Sequence, residues 1–312
     1  MNRSIRIESP GLLTTVQDFG RYGYQRFGMP VSGAADVFSM QLANLLVGNA
    51  QGMAVLEATL TGPQIMMMND GFAAVCGGGM TPLLNGTEVP AHMTLEVQAG
   101  DLLSFEASSA GCRTYIAFDG GLAPDAIMGS RSTYLPAAVG GLQGRPLRYG
   151  DTIPLGNTRK KATMRKVPAS LLPGLAGPVE VRILAGPESS RMTFEGLKNL
   201  ITSEYEVASD SDRMGLRLQG KPVALGAPGH QIISSGVVAG TLQVPGNGQP
   251  ILLLADSQTT GGYARVAVAA TVDMPLLAQL RPGDKLSFAE IDYKEASQLL
   301  RQRQQLLSGA IK

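Results

Sequence analysis

The sequence predicts a mainly β chain with a few helices, divided between two domains. Short apolar runs of strand length recur along it, and turns rich in glycine and proline separate them. With 39 Gly and 19 Pro but no Trp, the composition is typical of short strands joined by tight turns. The chain has 312 residues, and single hydrophobic cores stop growing near about 250–300 residues, so two domains are expected.

Residues 1–160 are predicted to form the first β domain. A helix is predicted over 33–47, because apolar residues recur there with helical spacing and Asp36 lies in the first turn. Apolar runs separated by turn sequences such as TGP and NDG predict the strands. These strands are 4–8, 55–60, 63–68, 72–77, 94–98, 102–105 and 114–118.

A basic stretch, 157–173, marks the predicted domain boundary and indicates a solvated linker, although a binding role for its charges stays open. Its basic residues are Arg159, Lys160, Lys161, Arg165 and Lys166. The second β domain is then predicted over 174–312, with a strand at 179–184 and helices at 188–200 and 292–307. The last helix is amphipathic, so it packs either on the domain or on a partner chain.

Charge and hydropathy argue against several classes of protein. Lys and Arg number 26 against 25 Asp and Glu, which leaves a net charge of +1 and no overall field to attract nucleic acid or an anionic membrane. No run of about 18 apolar residues could span a bilayer, and the first residues lack the apolar middle of a signal peptide. We expect a soluble, cytoplasmic protein with neither a nucleic-acid nor a membrane partner.

The cysteines and histidines do not suggest a metal site. Cys76 and Cys112 lie far apart in apolar contexts, which is typical of buried, reduced thiols. His92 and His230 each lie near Pro or Gly, where structural or surface roles are more common than catalysis. No metal is therefore expected.

A dense polar stretch lies between two apolar runs, 251–255 and 266–272, and these runs predict two strands joined by a loop. The loop contains Asp256, Ser257, Gln258, Thr259, Thr260, Gly261, Gly262, Tyr263 and Arg265. Adjacent glycines allow backbone amides to approach a ligand, so a binding loop is one interpretation. A surface loop whose polar groups satisfy its own backbone is the other.

Two short signatures recur in the same order at similar offsets. The pattern DxxRxG at 18–23 recurs at 210–215, and GDLLSF at 100–105 recurs as GDKLSF at 283–288. This repetition favours a duplicated β domain with equivalent polar corners. One interpretation is a ligand site where the corners meet. The other is an Asp–Arg salt bridge that braces each corner.

Three longer segments, 11–49, 211–220 and 241–266, resemble a known family. It includes the C-type subunit of 5-oxoprolinase, the antagonist of the sporulation-kinase inhibitor Kip, and the carboxyltransferase domain of urea amidolyase, also called allophanate hydrolase subunit 2. The resemblance runs from about Ile5 to about Phe288. It implies two tandem cyclophilin-like β-barrel domains, a small-molecule substrate, and companion 5-oxoprolinase subunits of the A and B types.

Motif residues in both halves become site candidates through this resemblance, and Gly261 joins them from the composition of the polar loop. The candidate catalytic residues are Asp18, Arg21, Arg213, Asp256 and Gln258. The candidate substrate-binding residues are Gln17, Asp36, Asn44, Gln243, Thr259, Gly261, Gly262 and Tyr263. The arginines could clamp a carboxylate or phosphate, an aspartate could act as general base, and the Gln258 amide could stabilise an oxyanion.

Three functions fit the sequence. The first is a subunit of an ATP-dependent 5-oxoprolinase, a hydrolase that converts 5-oxo-L-proline to L-glutamate with its companions. The absence of a fused biotin-carrying or amidase segment favours it. The second is a biotin-dependent carboxyltransferase acting on urea or a related amide. The third is a regulatory protein that antagonises a kinase inhibitor. No GxxxxGK[ST] pattern occurs, so ATP is expected to be shared with a companion subunit, and biotin belongs only to the second function.

Overall fold

The structure is a computed structural model that describes residues 3–107, 110–157, 163–172, 174–175 and 177–309. The chain divides into two compact units. The first unit consists of residues 1–22, 32–174 and 306–312, and the second consists of residues 23–31 and 175–305. Residues 23–31, which the sequence analysis assigned to the first domain, therefore belong to the second unit.

The first unit is built from two antiparallel sheets. Its strands are β1 (Ser4–Ser9), β2 (Leu13–Gln17), β3 (Val55–Thr59), β4 (Gln64–Met67), β5 (Gly71–Gly77), β6 (Thr81–Leu84), β7 (Thr87–Glu88), β8 (Thr94–Val97), β9 (Leu102–Glu106), β10 (Arg113–Phe118) and β11 (Thr152–Pro154). One sheet has the order β11-β1-β4-β9-β6-β7 and the other β2-β3-β10-β5-β8. All seven predicted strands of this unit are present within a residue or two of their predicted ends.

Apolar residues on the facing sides of both sheets form one core. The cluster includes Ile5 and Ile7 of β1 together with Ile116 of β10. Neighbouring residues of a strand point to opposite faces, so Tyr115 faces the other side of its sheet, where it joins a second cluster with Phe38. That second cluster is the contact between the sheet and helix α1 (Val37–Leu46).

Helix α1 begins four residues later than the sequence predicts. The Asp36 side chain caps it by accepting hydrogen bonds from the Ser39 N–H at 2.9 Å and the Ser39 hydroxyl at 2.6 Å. A capping carboxylate satisfies N–H groups that have no partner inside the helix. Asp36 is fully buried, so the cap also pairs a polar group inside the protein.

The second unit is a barrel with helices. Its strands are β12 (Val179–Ala185), β13 (Tyr205–Val207), β14 (Gly215–Gln219), β15 (Gln231–Gly236), β16 (Thr241–Val244), β17 (Ile251–Leu253), β18 (Thr260–Ala269) and β19 (Lys285–Glu290). Seven strands close in the order β12-β19-β13-β14-β17-β16-β18, and β18 pairs back to β12. Strand β15 is added beside the first residues of β18. The prediction of a mainly β chain is confirmed, with a closed barrel in this unit.

The described part of this unit also contains the helices α2 (Phe194–Thr202), α3 (Met274–Leu277) and most of α4 (Tyr293–Gly309), whose residues from Leu306 onwards belong to the first unit. Helix α2 begins six residues later than predicted, because Thr193 caps it by accepting the Gly196 N–H at 3.0 Å. Helix α4 begins one residue after Asp292, whose carboxylate accepts the Glu295 N–H at 2.8 Å. No helix in the described part of the chain is long and apolar enough to cross a membrane.

The GDxLSF repeat has the same local structure in both units. In each copy the aspartate side chain accepts the backbone N–H three residues earlier, from Gln98 to Asp101 at 2.7 Å and from Arg281 to Asp284 at 2.8 Å. The glycine before each aspartate has a positive φ, 93° and 88°, which favours glycine. Strands β9 and β19 follow these turns, so this repeated signature specifies a repeated turn.

The basic stretch is packed where it is described. Val167 is buried in the cluster that includes α1, and the Arg165 guanidinium donates to the Leu45 carbonyl at 2.9 Å. Residues 163–172 are therefore held against the first unit and do not form the solvated linker that the sequence predicted. Arg159, Lys160 and Lys161 lie outside the described residues.

Candidate functional site

Asp18 is the centre of a hydrogen-bond cluster in the first unit. Its carboxylate accepts the Ser130 hydroxyl at 2.6 Å, the Arg131 N–H at 2.6 Å, the Gly20 N–H at 2.8 Å and the Ser132 hydroxyl. Only 9% of the residue is exposed. These four donors occupy the lone pairs of the carboxylate, so the arrangement braces the loop that contains Ser130 and Ser132.

Gln17 and Arg21 are fully buried beside the same loop. The Gln17 amide nitrogen donates to the Thr15 hydroxyl at 3.0 Å and the Thr133 carbonyl at 3.1 Å. Arg21 donates to the Ser132 carbonyl. Both predicted site residues therefore contact the segment that Asp18 holds in place.

Asp36 and Asn44 serve helix α1. Asp36 is its N-terminal cap. The Asn44 amide nitrogen donates to the carbonyls of Gln51 at 3.2 Å and Met53 at 2.8 Å, and its oxygen accepts from Asn49 at 2.9 Å. Asn44 thus joins the helix to the segment leading into β3.

Arg213, the arginine of the DxxRxG repeat in the second unit, has a different partner from the one that the salt-bridge interpretation predicts. Arg213 makes a bidentate ion pair with Asp256, with Nε–Oδ2 at 2.8 Å and Nη2–Oδ1 at 3.1 Å. Asp210 instead pairs with Arg217 at 3.1 Å. The predicted Asp210–Arg213 brace is wrong, because Arg213 turns into the protein, where 6% of it is exposed, towards a carboxylate that is 2% exposed.

The polar loop is shorter than predicted. Strand β18 begins at Thr260, six residues before the predicted strand, and the loop is limited to 254–259. Ser235 of β15 pairs with Gly261, and Gln231 pairs with Tyr263. Gly261 and Gly262 carry no local strand signal, since glycine is unfavourable in strands. Their strand conformation depends on β15, a partner that is distant in sequence.

Arg265, at the end of the predicted loop, is held by Glu188. Its Nε and Nη2 each lie 2.8 Å from a carboxylate oxygen, and its backbone N–H donates to the same group at 3.0 Å. This pairing with Arg265 lowers the pKa of Glu188, and it raises the pKa of Arg265. Arg265 therefore fixes β18 to the segment that precedes α2.

A cleft of about 480 Å³ in the second unit brings together several predicted residues. Its polar lining includes Asp210, Asp212, Arg217, Gln243, Gln258 and Tyr263. Strands β14, β16 and β18 supply Arg217, Gln243 and Tyr263, and the loop after β17 supplies Gln258. Arg213 and Asp256 do not belong to the described lining of this cleft. Asp256 nevertheless precedes Gln258 closely in the sequence, so the Arg213–Asp256 ion pair holds the same loop.

The side chains of Gln243 and Gln258 contact each other in this cleft. The Gln258 Nε2 lies 3.3 Å from the Gln243 Oε1, and the Gln243 Nε2 lies 3.5 Å from the Tyr263 carbonyl. Gln243 is 2% exposed, whereas 42% of Tyr263 is exposed. The Gln258 amide of the loop and the Tyr263 ring of β18 thus line the cleft beside the buried Gln243 side chain.

The remaining predicted residues contribute backbone. The Thr259 carbonyl accepts the Val237 N–H at 3.1 Å, and Gly261 and Gly262 lie in β18. A Cβ built on Gly261 would lie 2.4 Å from the Gln243 Nε2, whereas one on Gly262 would meet only ordinary contacts, the nearest at 3.6 Å. Gly261 therefore makes room for Gln243.

Arg217 and Asp212 are cleft residues that the sequence analysis missed. Arg217 lies within the segment 211–220 that resembles the family, and β14 alternates buried Leu216 and Leu218 with exposed Arg217. This alternation was the available signal for an outward-facing cation. The Asp212 carboxylate accepts the Met214 N–H at 2.7 Å, which shapes the turn before β14.

Comparisons with known proteins agree with this architecture. The family described as "Carboxyltransferase domain, subdomain A and B" matches residues 27–290. The chain is 36% identical to the C-type subunit of 5-oxoprolinase from Escherichia coli over 292 residues, 94% of this chain and 93% of that protein. It is 33% identical to urea amidolyase of Saccharomyces cerevisiae, over 96% of this chain but 17% of that protein. The crystal structure of the K. lactis urea amidolyase covers 99% of this chain with a TM-score of 0.94 and 29% identity, and this chain covers 20% of it.

Proposed function

We propose a function for this chain from one premise: it belongs to the carboxyltransferase domain family, subdomains A and B. On that premise the chain acts as the C-type subunit of an ATP-dependent 5-oxoprolinase. Together with companion subunits of the A and B types it converts 5-oxo-L-proline to L-glutamate. The observation that carries this proposal is the 36% identity to the Escherichia coli C-type subunit over 93% of the length of that protein.

The cleft of the second unit is the proposed substrate site. 5-Oxo-L-proline has a carboxylate, a lactam carbonyl and a lactam N–H. Arg217 is the cation of the described lining, and its side chain is 55% exposed, so it can bind the substrate carboxylate while it keeps its contact with Asp210. Gln258 supplies an amide to the same cleft, and Tyr263 supplies an aromatic face. The candidates of the first unit have structural roles in this proposal.

The donor set of this cleft does not fit ATP. A triphosphate needs several cations or clustered backbone N–H groups. The described lining pairs Arg217 with Asp210 and adds a second carboxylate, Asp212. We therefore assign the nucleotide to a companion subunit, and no chemical step of this chain passes through it.

The test is to purify the full chain with its companion subunits and to measure ATP-dependent release of glutamate from 5-oxo-L-proline. We expect release with the complete complex and none without this chain. Arg217→Gln should weaken it. A complex that forms but releases no glutamate would overturn the proposal.

Carboxyl transfer to urea is the second candidate, and the TM-score of 0.94 to the urea amidolyase structure favours it. The same preparation, supplied with a carboxybiotin-bearing carrier protein, would then transfer its carboxyl group to urea. Tight binding to companions with neither activity would indicate the regulatory function instead.

A further inference from the structure

Two glutamine side chains and one backbone carbonyl form a short chain of hydrogen bonds beside the cleft. Gln258 donates its Nε2 to the Gln243 Oε1 at 3.3 Å, and Gln243 directs its Nε2 at the Tyr263 carbonyl at 3.5 Å. We call these three groups the amide relay. It runs from the buried end of Gln243 to the partly exposed Gln258.

The direction of the relay is fixed at its buried end. A backbone carbonyl only accepts hydrogen bonds, so the amide nitrogen of Gln243 must face Tyr263. The Gln243 oxygen then faces Gln258, which must present its own nitrogen. A reversed amide would set oxygen against oxygen inside the protein, where an unmade hydrogen bond is costly.

This direction determines which atom of the Gln258 amide is left as an acceptor for a ligand in the cleft. Its oxygen, Oε1, accepts no hydrogen bond within the described residues. Other cleft groups are also acceptors, because Asp210 and Asp212 contribute carboxylates. A ligand that places an N–H against Gln258 satisfies this oxygen, whereas a ligand with a lone pair there is repelled.

Gly261 protects the position of Gln243. The Cβ of any other residue would lie 2.4 Å from the Gln243 Nε2, a distance that forces the amide to move. The backbone of Gly261 has no positive φ, so alanine there would act on the relay through its size alone. Gly236, on the neighbouring strand β15, has no positive φ either, and its Cβ would meet nothing within 4 Å.

We propose that the amide relay makes Gln258 Oε1 a fixed hydrogen-bond acceptor, and that it selects ligands with an N–H at that point, such as a lactam or a urea-type amide. This inference rests on the proposed function for its choice of ligand. It assigns Gln258 as the selecting residue and Gln243 and Gly261 as positioning residues.

The test compares two probes that differ in one group. Calorimetry measures binding of the full chain to 5-oxo-L-proline and to the matching γ-lactone carboxylate, in which a ring oxygen replaces the N–H. We expect the lactam to bind at least about tenfold more tightly. Equal affinities, or no binding of either probe, would overturn the inference.

Two variants test the relay itself. Gln258→Met keeps the length of the side chain but removes the acceptor. The lactam should then bind at most about twofold more tightly than the lactone. Gly261→Ala should reduce the preference by displacing Gln243, whereas Gly236→Ala should retain it. A preference that survives in Gln258→Met refutes the role of Gln258, and equal behaviour of the two alanine variants refutes the role of Gln243.

The probe ratio separates this inference from the proposed function. If the complex releases glutamate but the two probes bind equally, the proposed function is supported and the selecting role of the amide relay is refuted. If the lactam binds more tightly than the lactone but no glutamate is released, the role of the amide relay is supported and the 5-oxoprolinase proposal is refuted. Urea as a third probe then tests the urea-type amide as the natural ligand class.

Discussion

Arg213 binds Asp256 through two parallel hydrogen bonds of 2.8 and 3.1 Å, although 43 residues separate them in the sequence. The Asp256 N–H also donates to the Arg213 carbonyl at 2.9 Å. The pair thus joins the turn before β14 to the loop that contains Gln258. Both side chains are almost fully buried, so the ion pair holds the loop from the interior of the second unit.

Removing Arg213 should destabilise the protein strongly. Arg213→Ala would leave the Asp256 carboxylate buried without its bidentate partner, which costs about 3–5 kcal/mol. Arg217→Ala breaks only the exposed pair with Asp210 and should cost less than about 1 kcal/mol. Urea denaturation of both variants measures the difference. Equal stabilities would show that the buried pair does not hold the loop.

Neutralising Arg217 should weaken substrate binding without unfolding the protein. Arg217→Gln removes a charge-assisted hydrogen bond, so KM for 5-oxo-L-proline in the complete complex should rise about tenfold to a hundredfold. Lys285→Gln is the matched control, because Lys285 is also an exposed cation on a barrel strand, where it lies near Glu204. A KM that rises equally in both variants would point to overall charge and not to a carboxylate contact.

Asp18→Asn should reduce the stability of the first unit. An amide group in place of one carboxylate oxygen leaves a partly buried donor such as the Arg131 N–H without an acceptor, at a cost of about 1–3 kcal/mol. Asp125→Asn, at an exposed position, should change stability little. The comparison uses thermal unfolding at neutral pH. Unchanged stability in Asp18→Asn would argue against the bracing role assigned to this carboxylate.

The stability of the protein should fall in mildly acidic solution because of His92. Burial lowers the pKa of this histidine from its usual 6.5, so the unfolded chain binds the proton first as the pH falls. The contribution of neutral His92 is therefore complete above pH 6.5 and declines as the pH falls towards the folded-state pKa.

Thermal unfolding of the wild type and of His92→Asn, measured from about pH 8 to pH 5, checks this expectation. Asparagine tolerates the positive φ of 61° at this position, so the variant removes the titrating ring and keeps the turn. The melting temperatures of the two proteins should converge as the pH falls. A constant difference between the two melting temperatures over the whole pH range would exclude His92 as the cause of the acid-induced loss of stability.

Much of the strand pattern could be predicted because it is local. Alternating or continuous apolar runs with turn residues between them identified β3, β4, β5 and β10 nearly to the residue. Helix starts were less accurate, because Asp36 and Thr193 cap their helices several residues after the apolar pattern begins. A cap depends on one side chain, which a pattern averaged over many residues does not resolve.

The site was harder to predict because its contacts are distant in sequence. The repeat predicts a site role for Arg213, but its side chain turns inward to Asp256. Arg217, four residues later, lines the cleft instead. Gln243, Gln258 and Tyr263 were named from motifs, and the structure brings them to one cleft. Their hydrogen bonds depend on how three separate segments meet, which local pattern does not specify.

The parallel pairing of β12 with β19 has a consequence for biosynthesis. Val179 pairs with Leu286, so β12 meets this one of its two neighbours only after the last strand of the second unit has left the ribosome. Translation adds roughly 5–20 residues per second, and such distant pairings form slowly. The barrel therefore cannot close until several seconds after β12 has been synthesised, and chaperones have that interval in which to shield its unpaired edge.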